Sequence, residues 1–111
     1  MPISQKPVTR ETILNEVKRI VFAMLGQIPA EVYLFGSWAR QEERRTSDID
    51  IAIGCEDSSA SERLMSIRTA LEESTIPYRV DVIDLTSVAR VFADKIRKEG
   101  IPWHDSKNVS H

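Results

Sequence analysis

Ile13, Val17, Ile20 and Met24 recur every three or four positions, with Leu14, Val21 and Leu25 beside them. That period lays them along one face of an amphipathic helix. Thr9 stands where such a helix needs a cap, and Gly26 stops it after about Leu25. Past Pro29 the pattern changes. Glu31 to Phe35 (EVYLF) is short and rich in aromatic and β-branched residues, which predicts a strand. Gly36-Ser37 breaks that strand, Trp38 to about Glu43 suggests a short helix, and Thr46-Ser47 is a turn. Asp48 to Ile53 (DIDIAI) alternates strictly, the signature of a half-buried strand. Ser59 and Glu62 form a candidate capping box for a helix to about Ser74, with Leu64, Ile67 and Leu71 as its apolar stripe. Pro77 precedes a third strand, Tyr78 to Leu85 (YRVDVIDL). A last helix covers about Ser87 to Glu99, stopped by Gly100 and Pro102. The order α-β-α-β-α-β-α predicts an α/β (α+β) structure, a small mixed sheet of about three strands with helices covering one face. Residues 1–8, with Pro2 and Pro7, read as an extended lead-in. Residues 9–102 read as one domain, and residues 103–111 as a flexible tail.

Composition narrows this picture by exclusion. The 111 residues are 41% hydrophobic, enough for one modest core. Fifteen basic and 17 acidic residues leave a net charge of -2, so nothing draws the whole chain to nucleic acid or to an anionic membrane. The apolar runs fall far short of the roughly 20 residues of a membrane helix. Met1 to Lys6 holds no apolar segment of the kind that opens a secretory signal, so a cytoplasmic protein is expected. The single cysteine, Cys55, excludes an internal disulfide.

Chemistry concentrates in the acids. On a strand, Asp48 and Asp50 point to one side while Ile49, Ile51 and Ile53 point to the other. Paired carboxylates repel, and a hard dication such as Mg²⁺ relieves them by sharing their oxygens with a phosphate. A lone Asp-x-Asp is more often a pair of solvent-facing acids. In the third strand Arg79, Asp81 and Ile83 share one face, and Val80 and Val82 the other. If that strand lies beside the second, Asp81 joins Asp48 and Asp50. A structural acid paired with Arg79 is an equal reading of Asp81. Asp84 has the opposite parity and is expected to end the strand or cap the last helix. Gly36-Ser37 lies between a strand and a predicted helix, where backbone N–H groups and a hydroxyl can hold an anion. Arg40 stands one turn further on, with a guanidinium suited to phosphate. Alone, that turn is a common N-cap.

Gly36-Ser37, ten intervening residues, Asp48-Ile49-Asp50 and a later acid in an apolar strand form a more specific set. FGSWARQEERRTSDIDIAI and PYRVDVIDL together resemble the DNA polymerase β-like nucleotidyltransferase superfamily, and within it the minimal nucleotidyltransferase branch. The resemblance runs from about Ile13 to Lys98 and implies the nucleotidyltransferase fold. It implies that Gly36 and Ser37, with Arg40 beside them, hold the terminal phosphates of an NTP. It also implies that Asp48, Asp50 and Asp81 are catalytic and bind metal, two Mg²⁺ ions, with Asp81 placed to accept the proton of the attacking hydroxyl. ATP is the family's usual substrate. Minimal members pair with small helical HEPN proteins in toxin–antitoxin systems, where adenylylation of a HEPN tyrosine is the antitoxic act. The chain departs from the pattern at Gln41, where relatives often carry glycine.

The leading expectation is therefore an Mg-dependent enzyme that moves NMP from an NTP to a tyrosine of a HEPN-like partner. A contact-only partner-binding module, a nucleotide sensor and transfer to a small-molecule acceptor are the alternatives. Neither direct nucleic-acid nor membrane binding is expected, and the pattern leaves homo- or hetero-oligomers open. Arg44 and Arg45 read as a solvated charge run with Glu42 and Glu43, and Arg79 is balanced between an acid and a phosphate. Trp38 reads as half-buried packing, Tyr33 and Phe35 as core, and Cys55 as a bystander. His104 and His111 lack metal-ligand spacing.

Overall fold

The computed structural model describes residues 9–104; the expected lead-in at 1–8 and the tail beyond residue 104 lie outside the described residues. The elements are α1 (Arg10–Leu25), β1 (Glu31–Phe35), β2 (Ile49–Gly54), α2 (Ala60–Glu72), β3 (Val80–Asp84), α3 (Arg90–Glu99) and β4 (Ile101–Trp103). One four-stranded sheet runs in the order β3-β2-β1-β4. β1 pairs antiparallel with β2 and with β4, whereas β2 and β3 run parallel, joined through α2. The mixed sheet is as expected, with one strand more.

That extra strand corrects the reading of the C-terminal end. The sequence pattern places Trp103 in the tail. The residue instead ends β4, opposite Val32, and is 6% exposed. The Gly100-Ile101-Pro102 break that ends α3 turns the chain onto the sheet edge. Pro102 has no N–H to donate, and an edge strand tolerates that loss.

Each sheet face is covered, not one. Ile49, Ile51 and Ile53 of β2 are fully buried against α1 and α2, beside Val32, Leu34 and Val82. Burying an isoleucine side chain of this kind stabilises by roughly 1.5–3 kcal/mol. α3 covers part of the opposite face through Ala93 and Ile96, which meet Ala52, Leu85, Tyr33 and Phe35. This second, smaller core leaves the end of that face beyond Phe35 free for polar side chains. Among the described residues no helix is long and apolar enough to cross a membrane.

The caps hold the elements in register. Thr9 and Thr12 close a capping box at the start of α1, and Gly26 ends it at φ 63°. The expected Ser59–Glu62 box does not form; the Ser59 N–H donates to the Asp57 carboxylate at 2.9 Å, and its hydroxyl donates there too. α3 starts three residues later than expected because Asp84 gathers the Thr86 N–H at 2.9 Å, the Thr86 hydroxyl at 2.7 Å and the Ser87 hydroxyl at 3.0 Å. Asp84 thus ends the strand and does not cap the helix. Arg68 donates twice to the Val82 carbonyl on β3, at 2.9 and 3.3 Å, and so satisfies a carbonyl of the edge strand.

Candidate active site

Sheet register brings the acids together. Asp50 pairs across β2 and β1 with Phe35, and across β2 and β3 with Asp81. All three therefore share one face, the face that α3 covers only in part. Adjacent strands lie about 4.8 Å apart, so carboxylates on paired residues reach one common ion. Asp48 stands just before β2 and is half-buried. Its charge, with that of Asp81, acts on Asp50, whose pKa is raised first by burial, then by Asp81 and then by Asp48; Arg40 partly offsets this. An acid cluster with too little positive charge beside it is the environment a hard dication neutralises.

Among the described residues no three acid, histidine or cysteine side chains are grouped to hold one metal ion as they stand. Asp81 has a partner of its own. Its carboxylate accepts from Arg79 Nε at 3.1 Å. Arg79, balanced between acid and phosphate on sequence grounds, pairs with the acid here. The donor chemistry and the register both fit Mg²⁺.

Gly36 closes the other side of the site. Its φ is +75°, a left-handed conformation that glycine adopts without strain. A Cβ there would lie 2.3 Å from Asp50 Oδ2 and 3.2 Å from Asp50 Cγ. The Asp50 carboxylate thus rests directly on the Gly36 backbone, and the Gly36-Ser37 turn and the acid are in contact. The helix expected over 38–43 is absent. Residues 37–41 make one tight turn, in which Ala39 and Arg40 N–H both reach the Gly36 carbonyl, at 3.1 and 3.3 Å. Gln41, at φ 60°, ends it. No helix dipole stands behind Ser37; the turn offers its own N–H groups and the Ser37 hydroxyl as donors.

A family model described as "Polymerase beta, Nucleotidyltransferase" matches residues 21–107. The chain belongs to this nucleotidyltransferase family. A candidate protein adenylyltransferase of Methanocaldococcus jannaschii is 33% identical over 89 residues, covering 79% of this chain and 95% of that one. The protein adenylyltransferase MntA of Shewanella oneidensis is 33% identical over 89 residues, covering 78% of this chain and 63% of its own length. A toxin–antitoxin crystal structure with AMP-PNP is 25% identical with a TM-score of 0.59, over 85% of this chain and 75% of that one.

In this nucleotidyltransferase, the loop between turn and acids is bolted down by residues that no spacing singled out. Arg10, at the start of α1, donates Nε to Glu43 at 2.9 Å and Nη2 to the Trp38 carbonyl. Its guanidinium also lies over the Trp38 ring, 5.9 Å from the centroid. Trp38 is 2% exposed, not half-buried, and its indole N–H donates to the Ser47 carbonyl at 3.3 Å. Arg10 and Glu43 lie 33 positions apart, and each reads as a surface charge on its own. Glu42 meanwhile pairs with Arg40 at 3.0 Å. Both glutamates are taken, so Arg44 and Arg45 are exposed without an ion pair among the described residues. Tyr33 and Phe35, expected in the core, are half-buried against the smaller one, and Cys55 is buried in the larger.

Gln41 gives a direct test of the turn. A left-handed side-chain residue costs roughly 1–2 kcal/mol, and the greater chain entropy of unfolded glycine recovers part of the gain from removing it. Gln41→Gly is expected to stabilise the nucleotidyltransferase by about 0.5–1 kcal/mol in urea unfolding. A destabilised variant would show that the Gln41 side chain holds the turn by contacts of its own.

Proposed function

We propose that this nucleotidyltransferase transfers AMP from ATP to a tyrosine hydroxyl of a small helical HEPN-like partner, as the antitoxin of a cytoplasmic toxin–antitoxin pair. The observation that carries the reading is the contact of Gly36 with Asp50, which makes one site of the phosphate turn and the acid pair Asp50–Asp81. The relatives support the finer assignment, since two bear the name protein adenylyltransferase and a third is a toxin–antitoxin pair with an ATP analogue.

The residues take these parts. The Ser37 hydroxyl and the N–H groups of the 37–41 turn hold the terminal phosphates, with Arg40 at the rim. Asp48, Asp50 and Asp81 would hold Mg²⁺, which when bound supplies positive charge at the α-phosphate and at the leaving oxygen. The tyrosine oxygen attacks the α-phosphorus. A new O–P bond forms as the bond to the α,β-bridging oxygen breaks, and pyrophosphate leaves. Asp81 takes the tyrosine proton, having first let go of Arg79.

Incubation of the chain with labelled ATP, Mg²⁺ and its helical partner is expected to label the partner, and a Tyr→Phe variant of the partner should remain unlabelled. Label on a small molecule but never on the partner would move the reading to a small-molecule acceptor. Neutralisation of the partner by a chain lacking both Asp48 and Asp50 would make contact alone the antitoxic event.

A further inference from the structure

A cleft of about 150 Å³ opens beside the phosphate turn, and its α3 wall has no part in the proposed function. Gly36, Ala39 and Arg40 line one wall; Phe92, Lys95 and Glu99 of α3 line the other. Phe35 and Ile96 help to close its floor, with Phe92 set edge-on to Phe35 at 6.1 Å between ring centroids. Its volume suits one small group and not a whole nucleotide. Two of its lining side chains, Arg40 and Lys95, carry positive charge, from opposite walls.

Lys95 is the unusual member. It projects from the one helix on the acid-bearing face. Among the described residues it has no ion-pair partner, whereas Arg97 on the same helix is held by Glu31 at 2.9 Å and lies 3.7 Å from Asp94. Glu99, one turn further along, shares the cleft without reaching Lys95 as an ion pair. The ammonium is therefore free to meet an anion entering over Gly36. The apolar floor cannot bind phosphate itself. The cations that can meet an anion are at its rim, Arg40 on one wall and the exposed Lys95 on the other.

We infer that the cleft between the phosphate turn and α3 receives the terminal phosphate of the NTP, with Lys95 as its cationic ligand opposite Arg40. This rests on the proposed placement of the terminal phosphates at Gly36-Ser37. It adds a helix that sequence spacing did not connect to the site. It also explains why α3 covers the acid-bearing face only in part: the uncovered end leaves a slot at the level of the turn. A nucleoside ring in the same slot is the competing occupant, since Phe35, Phe92 and Ile96 would serve a ring as well.

Titration calorimetry with Mg²⁺ present separates the two. Lys95→Ala is expected to weaken ATP and inorganic tripolyphosphate about tenfold each, a loss of roughly 1.4 kcal/mol, and to leave AMP unchanged because AMP has no terminal phosphates. Lys95→Arg should restore most of the affinity. Lys98→Ala removes the same charge from the same helix outside the cleft, and is expected to bind as the wild type does. Both lysines are exposed, so thermal melts should show both variants folded. Unchanged tripolyphosphate affinity in Lys95→Ala overturns the inference alone, as does an equal loss for AMP, which carries only the α-phosphate and the nucleoside. A wild-type chain that binds neither ATP nor tripolyphosphate overturns the nucleotide reading and this inference with it.

Discussion

Asp50→Asn is expected to lower nucleotidyl transfer by about 10³-fold or more, roughly 4 kcal/mol of transition-state stabilisation, while making the metal-free chain slightly more stable. The two effects have one cause. Asp50 is the acid at the centre of the site, opposite Phe35 on one strand and Asp81 on the next, with its carboxylate against Gly36. Burial, then Asp81, then Asp48, raise its pKa above the ordinary carboxylate value. A raised acid binds its proton more tightly in the folded chain than in the unfolded one. Its ionisation therefore costs stability at every pH above the raised value. The cost fades as pH falls through that value and is gone below the unfolded carboxylate range. Asparagine keeps the shape without the charge. Because Asp50 is only half-buried, solvent screens this cost and the gain at pH 7 is small. Melts without Mg²⁺ at pH 7 should show the gain, and melts below about pH 4 should not. A variant that keeps its transfer rate within tenfold, or melts lower at pH 7, would remove Asp50 from the centre of the site.

Such an opposition between stability and activity marks the part of the chain where local patterning and chemistry disagree. Elsewhere they agree, and there the fold was legible. The alternation of Asp48-Ile49-Asp50-Ile51 assigned each side chain to its face, and the parity of the third strand chose Asp81 over Asp84; the observed register is that arrangement. The stripe from Ile13 to Leu25 became α1 with its threonine cap. What was not legible depends on contacts far apart in the chain. Ile101, Pro102 and Trp103 hold too few residues to show a strand's period, and they pair only because β1 presents a free edge. Arg10 and Glu43 show no pattern until folding sets them side by side. Lys95 sits in a helix whose basic residues look alike, and only the cleft distinguishes it. The short helix after Ser37 failed for a local reason: one left-handed residue, Gln41, ends the turn, and a sequence pattern does not display backbone sign.

Gly36→Ala carries the argument about the site to its smallest change, a single methyl group. It is expected to leave the fold in place and to reduce transfer by about 10²-fold, the scale of an ångström's misplacement of a reacting group. Two costs add. The φ of +75° strains any side chain, by roughly 1–2 kcal/mol. The new Cβ would also lie 2.3 Å from Asp50 Oδ2, so the carboxylate must swing away from Asp81 and from the phosphate turn. Asp50→Ala separates the costs. In that background the added methyl meets only the remaining Cβ at 3.4 Å, an ordinary contact. Gly36→Ala should then cost only its backbone strain, and in urea unfolding the double variant should be more stable than the sum of the two single changes predicts. Transfer should fall little further than in Asp50→Ala alone, because the carboxylate that the methyl displaces is already gone. Equal stability costs in the two backgrounds would mean that Gly36 serves the turn alone. Non-additive costs would make the glycine and the aspartate one structural unit: the turn needs its glycine because the Asp50 carboxylate leans on it.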